Sequence, residues 1–197
     1  MTTSPDGRLA RGELRKLLLL DAAVKVVADG GSGALTHRAV ASDAGVSLAS
    51  VTYHFPSIGD LREAMFDHAG SRVGLAFRDL IETAGTRAED VPELTAAFSV
   101  SLVTERRVDT TAVFEMIVAA GHDASLRPLV RFFNDRLAEL LGPYVGERFT
   151  ALTVAAAIQG LILGYLAQTD VEDAQALHDG ITDLVRRYRD DDAIPTP

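Results

Sequence analysis

The sequence predicts an all-α protein of about nine helices, with a three-helix unit holding a helix-turn-helix at its N-terminal end and a larger helical region after it. Three observations predict this. Apolar residues recur at helical spacing along most of the chain. No strand-length run alternates β-branched and polar residues around a hairpin turn. Glycine, proline and small hydroxyl residues fall where helices must stop and start. A chain of 197 residues can bury a real core, and 47% apolar with 24% charged residues is a folded composition. The absence of cysteine excludes disulfides, thiolate metal sites and cysteine nucleophiles.

The elements follow in order. Leu19, Ala23 and Val26 or Val27 recur at helical spacing in a first helix over 9–29, which Gly30-Gly31-Ser32-Gly33 stops. Thr36 is an N-cap for a short helix over 37–44, ended by Gly45. Ser47 caps the next, to His54, and Pro56 breaks the chain again. From Ser57 the helices lengthen, over 58–83, 91–105, 110–121, 125–141, 147–168 and 172–190. The breaks are placed at Gly85-Thr86, Arg107 to Asp109, Gly121-His122, Gly142-Pro143 and Thr169-Asp170. The tail, acidic and then proline-containing over 191–197, is expected to fray.

The net charge of −9 is unevenly spread. Residues 1–69 carry seven Lys/Arg against eight Asp/Glu, whereas residues 70–197 carry twelve against twenty. Arg8, Arg11, Arg15 and Lys16 form a small basic arm, a first pointer to a phosphate partner. The polar opening and the short Leu17–Leu20 run do not read as a secretory signal, so a cytoplasmic location is expected. The run from Phe149 to Thr169 has no charge over 21 positions, long enough to cross a bilayer. Its Ala, Gly, Thr and Gln content suits lipid poorly. It is read instead as a buried helix covered all round, with no membrane partner.

The informative segment is Leu35 to Phe55, LTHRAVASDAGVSLASVTYHF. Two short helices joined by a tight turn need a small residue at the crossing, and Ala41 fits. They need a residue that takes positive φ without strain four positions on, and Gly45 fits. They need an apolar anchor six further on, and Val51 fits, with Val40, Ala44, Val46 and Phe55 completing a small core. This is the spacing of a helix-turn-helix whose second helix enters the DNA major groove. That helix offers Leu48, Ala49, Ser50, Thr52, Tyr53 and His54. Hydroxyls contact bases or phosphates, and Leu48 or Ala49 can meet a thymine methyl. Thr36 and Ser47 combine capping with phosphate contact, and Arg38 is the charged phosphate or base ligand.

The pattern LT-x-R-x-VA-x-x-AGVS-x-x-x-V-x-YHF-x-S, within the stretch from Arg11 to about Gly70, resembles the DNA-binding domain of the TetR family of transcriptional regulators. The resemblance implies a homodimer whose first three helices bind double-stranded DNA at a near-palindromic operator. It implies that the remaining helices enclose a pocket for a small-molecule effector and form the dimer interface. The expected division is a DNA-binding domain at 9–70, a ligand-binding and dimerisation domain at 71–190 and the tail. Two departures stand out. Ile58-Gly59 replaces the family's frequent Lys-Glu, and Ala49 and Thr52 stand where many members have Gly and Tyr.

On the C-terminal helices, Phe98, Phe114, Met116, Ile117, Phe132, Phe133, Gln159 and Tyr165 are the candidate pocket residues, and for all but Gln159 plain core is the first reading. Gln159 reads either as a ligand hook or as a satisfied interhelical hydrogen bond. Ala156, Gly160 and Gly164 share one face at four-residue spacing, which lets a second helix approach closely, in a two-fold dimer or within one subunit. No catalytic triad, phosphate loop, metal-ligand spacing or paired catalytic carboxylate emerges, so no cofactor, no metal and no enzyme activity are expected. The function expected is a DNA-binding repressor released by a ligand. The alternatives are a helix-turn-helix used for protein contact and a helical enzyme.

Overall fold

A computed structural model of the chain describes residues 5–83, 88–168 and 174–189. These residues form nine α-helices and no strand: α1 (Pro5–Gly30), α2 (His37–Asp43), α3 (Leu48–His54), α4 (Ile58–Thr83), α5 (Val91–Val103), α6 (Arg107–Ala119), α7 (Arg127–Val145), α8 (Arg148–Leu166) and α9 (Ala174–Tyr188). The all-α class is as predicted. The breaks placed at Gly85-Thr86 and Thr169-Asp170, and the tail 191–197, lie outside the described residues.

Two apolar cores organise the helices. The first buries Leu19, Ala23 and Val27 of α1 with Val40, Val51, Phe55 and the first turns of α4, Leu61, Met65 and Phe66. Ala112, Val113 and Met116 of α6 close it from the far side. The second gathers Phe77 of α4 with α5, α7, α8 and α9 around Val91, Leu141, Val154, Ile158 and Ile181. α4 belongs to both. Its 26 residues span about 39 Å at 1.5 Å per residue, which carries one helix from the helix-turn-helix to the second core.

Four sequence readings need correction. α1 begins at Pro5, because proline's fixed φ suits a first helical position. α6 begins at Arg107 and ends at Ala119, so the expected break at 107–109 falls at 104–106 instead. The Arg107 guanidinium donates to the carbonyls of Leu166 and Gln168 at 2.7 and 3.2 Å, a tertiary tie that holds the helix start against the end of α8. α7 runs through Gly142-Pro143 to Val145. A proline in the last turn forfeits one hydrogen bond, and the burial of Ala138, Leu141 and Val145 outweighs that loss. The chain turns only at Gly146, whose φ of +87° favours a residue without Cβ. Finally, α8 is not covered all round. Phe149, Ala156, Gly160, Leu161, Leu163 and Gly164 are exposed on the subunit.

Candidate nucleic-acid interface and interior cavity

The α2–turn–α3 unit is fixed by local chemistry. Thr36 Oγ1 accepts from the Ala39 amide at 3.1 Å, and Ser47 Oγ accepts from Ser50 at 3.2 Å, each satisfying an orphan N–H at a helix start. Gly45 takes φ +62° in the turn. Val51 is fully buried beneath α3, with Val40 and Phe55 beside it. The sequence reading missed His37. Its Nε2 donates to the Phe55 carbonyl at 2.8 Å, which pins the start of α2 to the end of α3 and sets their angle. The only sequence signal was its place in the Thr-His-Arg triplet.

Burying Val51 turns the other faces of α3 outward. Tyr53 is 82% exposed and Leu48 45% exposed, with Ala49 and Thr52 exposed beside them. Thr52 Oγ1 donates back to the Leu48 and Ala49 carbonyls at 3.2 and 3.3 Å, which orients the hydroxyl and leaves its lone pairs free to accept. The Tyr53 ring meets His54 edge-on, with centroids 5.2 Å apart, and His54 leans on Phe55. Ser50 and His54 are half-buried, whereas Arg38 on α2 is exposed. The nine residues singled out from sequence thus lie along one unit of 19 residues, Thr36 to His54, with Tyr53, Thr52, Leu48, Ala49 and Arg38 open to solvent.

Polar links tie this unit to the rest. Ser57 and Asp60 form a reciprocal capping box at the start of α4: Ser57 Oγ accepts from the Asp60 amide at 3.1 Å, and Asp60 Oδ2 accepts from Ser57 at 3.0 Å. Arg62 on α4 donates to Asp123 at 2.7 Å. Asp123 is held below the usual carboxylate range by its hydrogen bonds from Ser125, assisted by Arg62. Further along, His68 and Arg72 of α4 both reach Asp21 of α1, and Arg72 also reaches Asp109 of α6 at 3.3 Å. Burial pushes the Asp109 carboxyl up, opposed by the Arg72 charge. Glu115 of α6 accepts from the Ser32 amide at 3.2 Å. One helix, α4, therefore bears the ties to α1, to the start of α6 and to the turn that follows it.

A cavity of about 80 Å³ lies among α4, α5, α6, α7 and α8. Phe98, Phe114, Phe133 and Gln159 of the sequence candidates line it. Phe132 instead stands 60% exposed on an outer groove between α4 and α7. Met116 and Ile117 pack in the first core, because α6 passes the cavity in its first two turns and then lies against α1. Tyr165 packs at the edge of the second core. Gln159 Nε2 donates to Asn134 Oδ1 at 3.3 Å, the interhelical bond named as one of its two readings. Val73 and Phe77 of α4 and Leu137 of α7 also line the cavity, and the sequence reading missed them. Their spacing is that of any core helix. Among the described residues no cluster of His, Asp and Glu is arranged to hold a metal.

Ala156, Gly160 and Gly164 are exposed on α8, and Gly160 with Ala157 and Leu161 forms one wall of a groove whose other wall is Gly180, Asp183, Leu184, Arg187 and Tyr188 of α9. An added Cβ at Gly160 or Gly164 meets nothing within 4 Å. α8 is also the one described helix long and apolar enough to cross a membrane.

Comparison with known proteins supplies a frame for this geometry. A family model described as bacterial regulatory proteins, tetR family, matches residues 19–65. A second, tetracyclin repressor-like, C-terminal domain, matches residues 86–191. No match was found among curated proteins. Among solved structures, the multidrug binding protein EbrR complexed with imidazole is 28% identical, covering 93% of this chain and 91% of that one, with a TM-score of 0.66. EbrR complexed with ethidium is 27% identical over 86% of this chain and 97% of that one, at 0.68. A TetR family member from Streptomyces coelicolor A3 is 25% identical over 92% and 99%, at 0.71.

Proposed function

We propose, from the premise that the chain belongs to the TetR family of bacterial regulatory proteins and is a DNA-binding transcriptional regulator, that it acts as a repressor released from its operator by a small molecule. One observation carries this reading: α4 starts at the capping box beside α3 and, about four turns on, lines the cavity with Val73, Gly74 and Phe77. A molecule that reshapes the cavity acts on the helix that seats the DNA-reading unit. The imidazole and ethidium complexes of EbrR, a multidrug binding protein, support a ligand-binding role for this chain.

The DNA contacts proposed are Tyr53, Thr52, Leu48, Ala49, Ser50 and His54 from α3, Thr36 and Ser47 at the helix starts, and Arg38 from α2. The unpaired α8–α9 face supports a homodimer in which two copies form a four-helix bundle. Reading one duplex then requires the two α3 helices to stand about 34 Å apart, one turn of B-DNA, and the two-fold makes the operator a near-palindrome. The ligand must bind the released dimer more tightly than the DNA-competent one. Moving the equilibrium from 1:99 to 99:1 takes about 5.5 kcal/mol of differential affinity. In this reading the protein works in the cytoplasm, with the α8 stripe facing its copy and not lipid.

The test is a gel-shift titration against duplexes selected from a random pool, repeated over a salt series and with a library of small molecules. The reading expects a palindromic consensus, binding that weakens steeply with salt, and at least one compound that releases the DNA. A consensus without two-fold symmetry contradicts the dimeric operator, and binding that no compound alters contradicts ligand release.

A further inference from the structure

We infer that the cavity admits an uncharged molecule with an apolar body and one hydrogen-bonding oxygen, and that Phe133 is the leaf that swings to let it in from the groove between α4 and α7. This rests on the ligand-responsive reading above and names the ligand class and its route.

The chemistry of the lining decides the class. Among the described residues no Asp, Glu, Lys, Arg or His lines the cavity, so a charge placed inside finds no counter-ion and is heavily penalised. Two of the three lining hydroxyls are already committed. Ser99 Oγ donates to the Thr95 carbonyl at 2.7 Å, and Thr110 Oγ1 donates to the Arg106 carbonyl at 2.9 Å. The third is different: Thr95 is 3% exposed and its Oγ1 has no hydrogen-bond partner. A buried hydroxyl without a partner destabilises, and turning it toward an alcohol, ketone or ester oxygen in the cavity that its side chain lines relieves it. The rest of the surface is carbon, the Gln159 amide being bonded to Asn134.

The geometry decides the route. A space of about 80 Å³ holds fewer than about three water-sized groups, well short of a typical ligand site. The outer groove adds about 180 Å³, and the two spaces share Gly74, Phe133, Leu137 and Leu140 as their common wall. Phe133 is the one aromatic ring of that wall, half-buried, and rotation about its side-chain bonds is enough to swing it aside. Its ring stands edge-on to Phe66, centroids 5.8 Å apart, over the bare backbone of Gly70. A Cβ at Gly70 would lie 3.2 Å from the ring's Cδ2, a crowded contact that glycine spares the ring. Turning the ring aside joins groove and cavity into one site. The groove's rim carries Asp67, Arg78 and Arg136, so charge is met outside the wall and carbon inside it.

The test uses the full-length protein and two fluorescent probes that share a skeleton. N-phenyl-1-naphthylamine is neutral, and 8-anilino-1-naphthalenesulfonate adds a sulfonate. The neutral probe is expected to bind saturably and at least about tenfold more tightly, and 1-decanol to displace it where decanoate at equal concentration does not. In stopped flow, Phe133→Ala is expected to speed association of the neutral probe several-fold and Phe133→Trp to slow it; both variants are checked for native melting. Thr95→Val should weaken displacement by 1-decanol about threefold to tenfold, the size of one neutral hydrogen bond. The inference is overturned if the neutral probe shows no saturable binding, if the sulfonate binds as well, or if neither Phe133 variant changes the association rate. An unaltered decanol displacement in Thr95→Val overturns the oxygen-reading role. None of these readouts involves DNA. Probe binding as described with no compound ever releasing DNA would sink ligand release alone, and release by a charged compound without neutral-probe binding would sink this inference alone.

Discussion

α3 and α8 both present a face that their own subunit does not cover, and the two faces have opposite chemistry. α3 has seven residues and shows solvent a phenol, a hydroxyl, a leucine and an alanine, with Arg38 nearby on α2. α8 has nineteen, and the face it leaves open carries Ala156, Gly160, Leu161, Leu163 and Gly164 with no charge. A face rich in hydrogen-bonding groups suits a hydrated, charged polymer. A face of small apolar residues suits another helix at close range. The acidity follows the same division, since most of the net charge of −9 falls beyond residue 69, away from α3.

The comparison can be broken most severely at Val51. Val51→Asp places an unpaired carboxylate in the first core, where the side chain is fully buried. The expected loss is on the order of 4 kcal/mol, read by chemical denaturation, together with all DNA binding. A surface-like response would mean that α3 is not seated as described. Gly160→Arg probes the other face. Because a Cβ there meets nothing in the subunit, the fold should persist with near-native helicity. Sedimentation should show monomers, and operator affinity should drop by about a hundredfold or more as the two-site advantage is lost. A stable dimer in this variant would remove α8 from the interface.

Smaller effects sharpen the picture. Thr36→Ala and Ser47→Ala each remove a side-chain cap and should each cost about 1 kcal/mol in thermal or chemical melts, with a further loss in DNA affinity read by anisotropy. The least effect is a change of slope. The Asp109 carboxyl is raised in the folded state by burial, so between the ordinary carboxylate range and that raised value the folded protein holds a proton the unfolded chain has lost. This group's contribution to stability therefore falls as pH rises through that window. Asp109→Asn should flatten that part of the melting-temperature profile. Asp123 runs the other way: its lowered value gives a contribution present above the ordinary carboxylate range and lost as pH falls through it.

What was legible in the sequence was whatever rests on local chemistry. Thr36, Gly45, Ser47 and Val51 each meet a requirement set by a few neighbouring residues, and the short helices fall where those requirements place them. The tertiary devices were not legible. Arg107 starts α6 early because it ties to carbonyls some sixty residues away, and His37 acts on Phe55 through a fold that no spacing announces. The cavity was half legible. Phe98 and Phe133 line it while Met116 does not, because an apolar residue at helical spacing looks the same whether it meets a neighbour or a void. The uncharged stretch misled for a related reason. An apolar helix was expected to be covered, and the chain leaves the Gly160 face open.

The central claim is that the outward face of α3 reads duplex DNA. Its most direct test is a fluorescence-anisotropy titration of a selected operator duplex with the wild-type protein and with the Thr52→Ala, Tyr53→Ala double variant, both side chains being exposed and outside the core. The account predicts an unchanged melting temperature and dimer, with specific affinity reduced at least about tenfold and sequence preference relaxed. Equal affinity and equal preference in the two proteins would contradict it and return α3 to the role of a protein-contact surface.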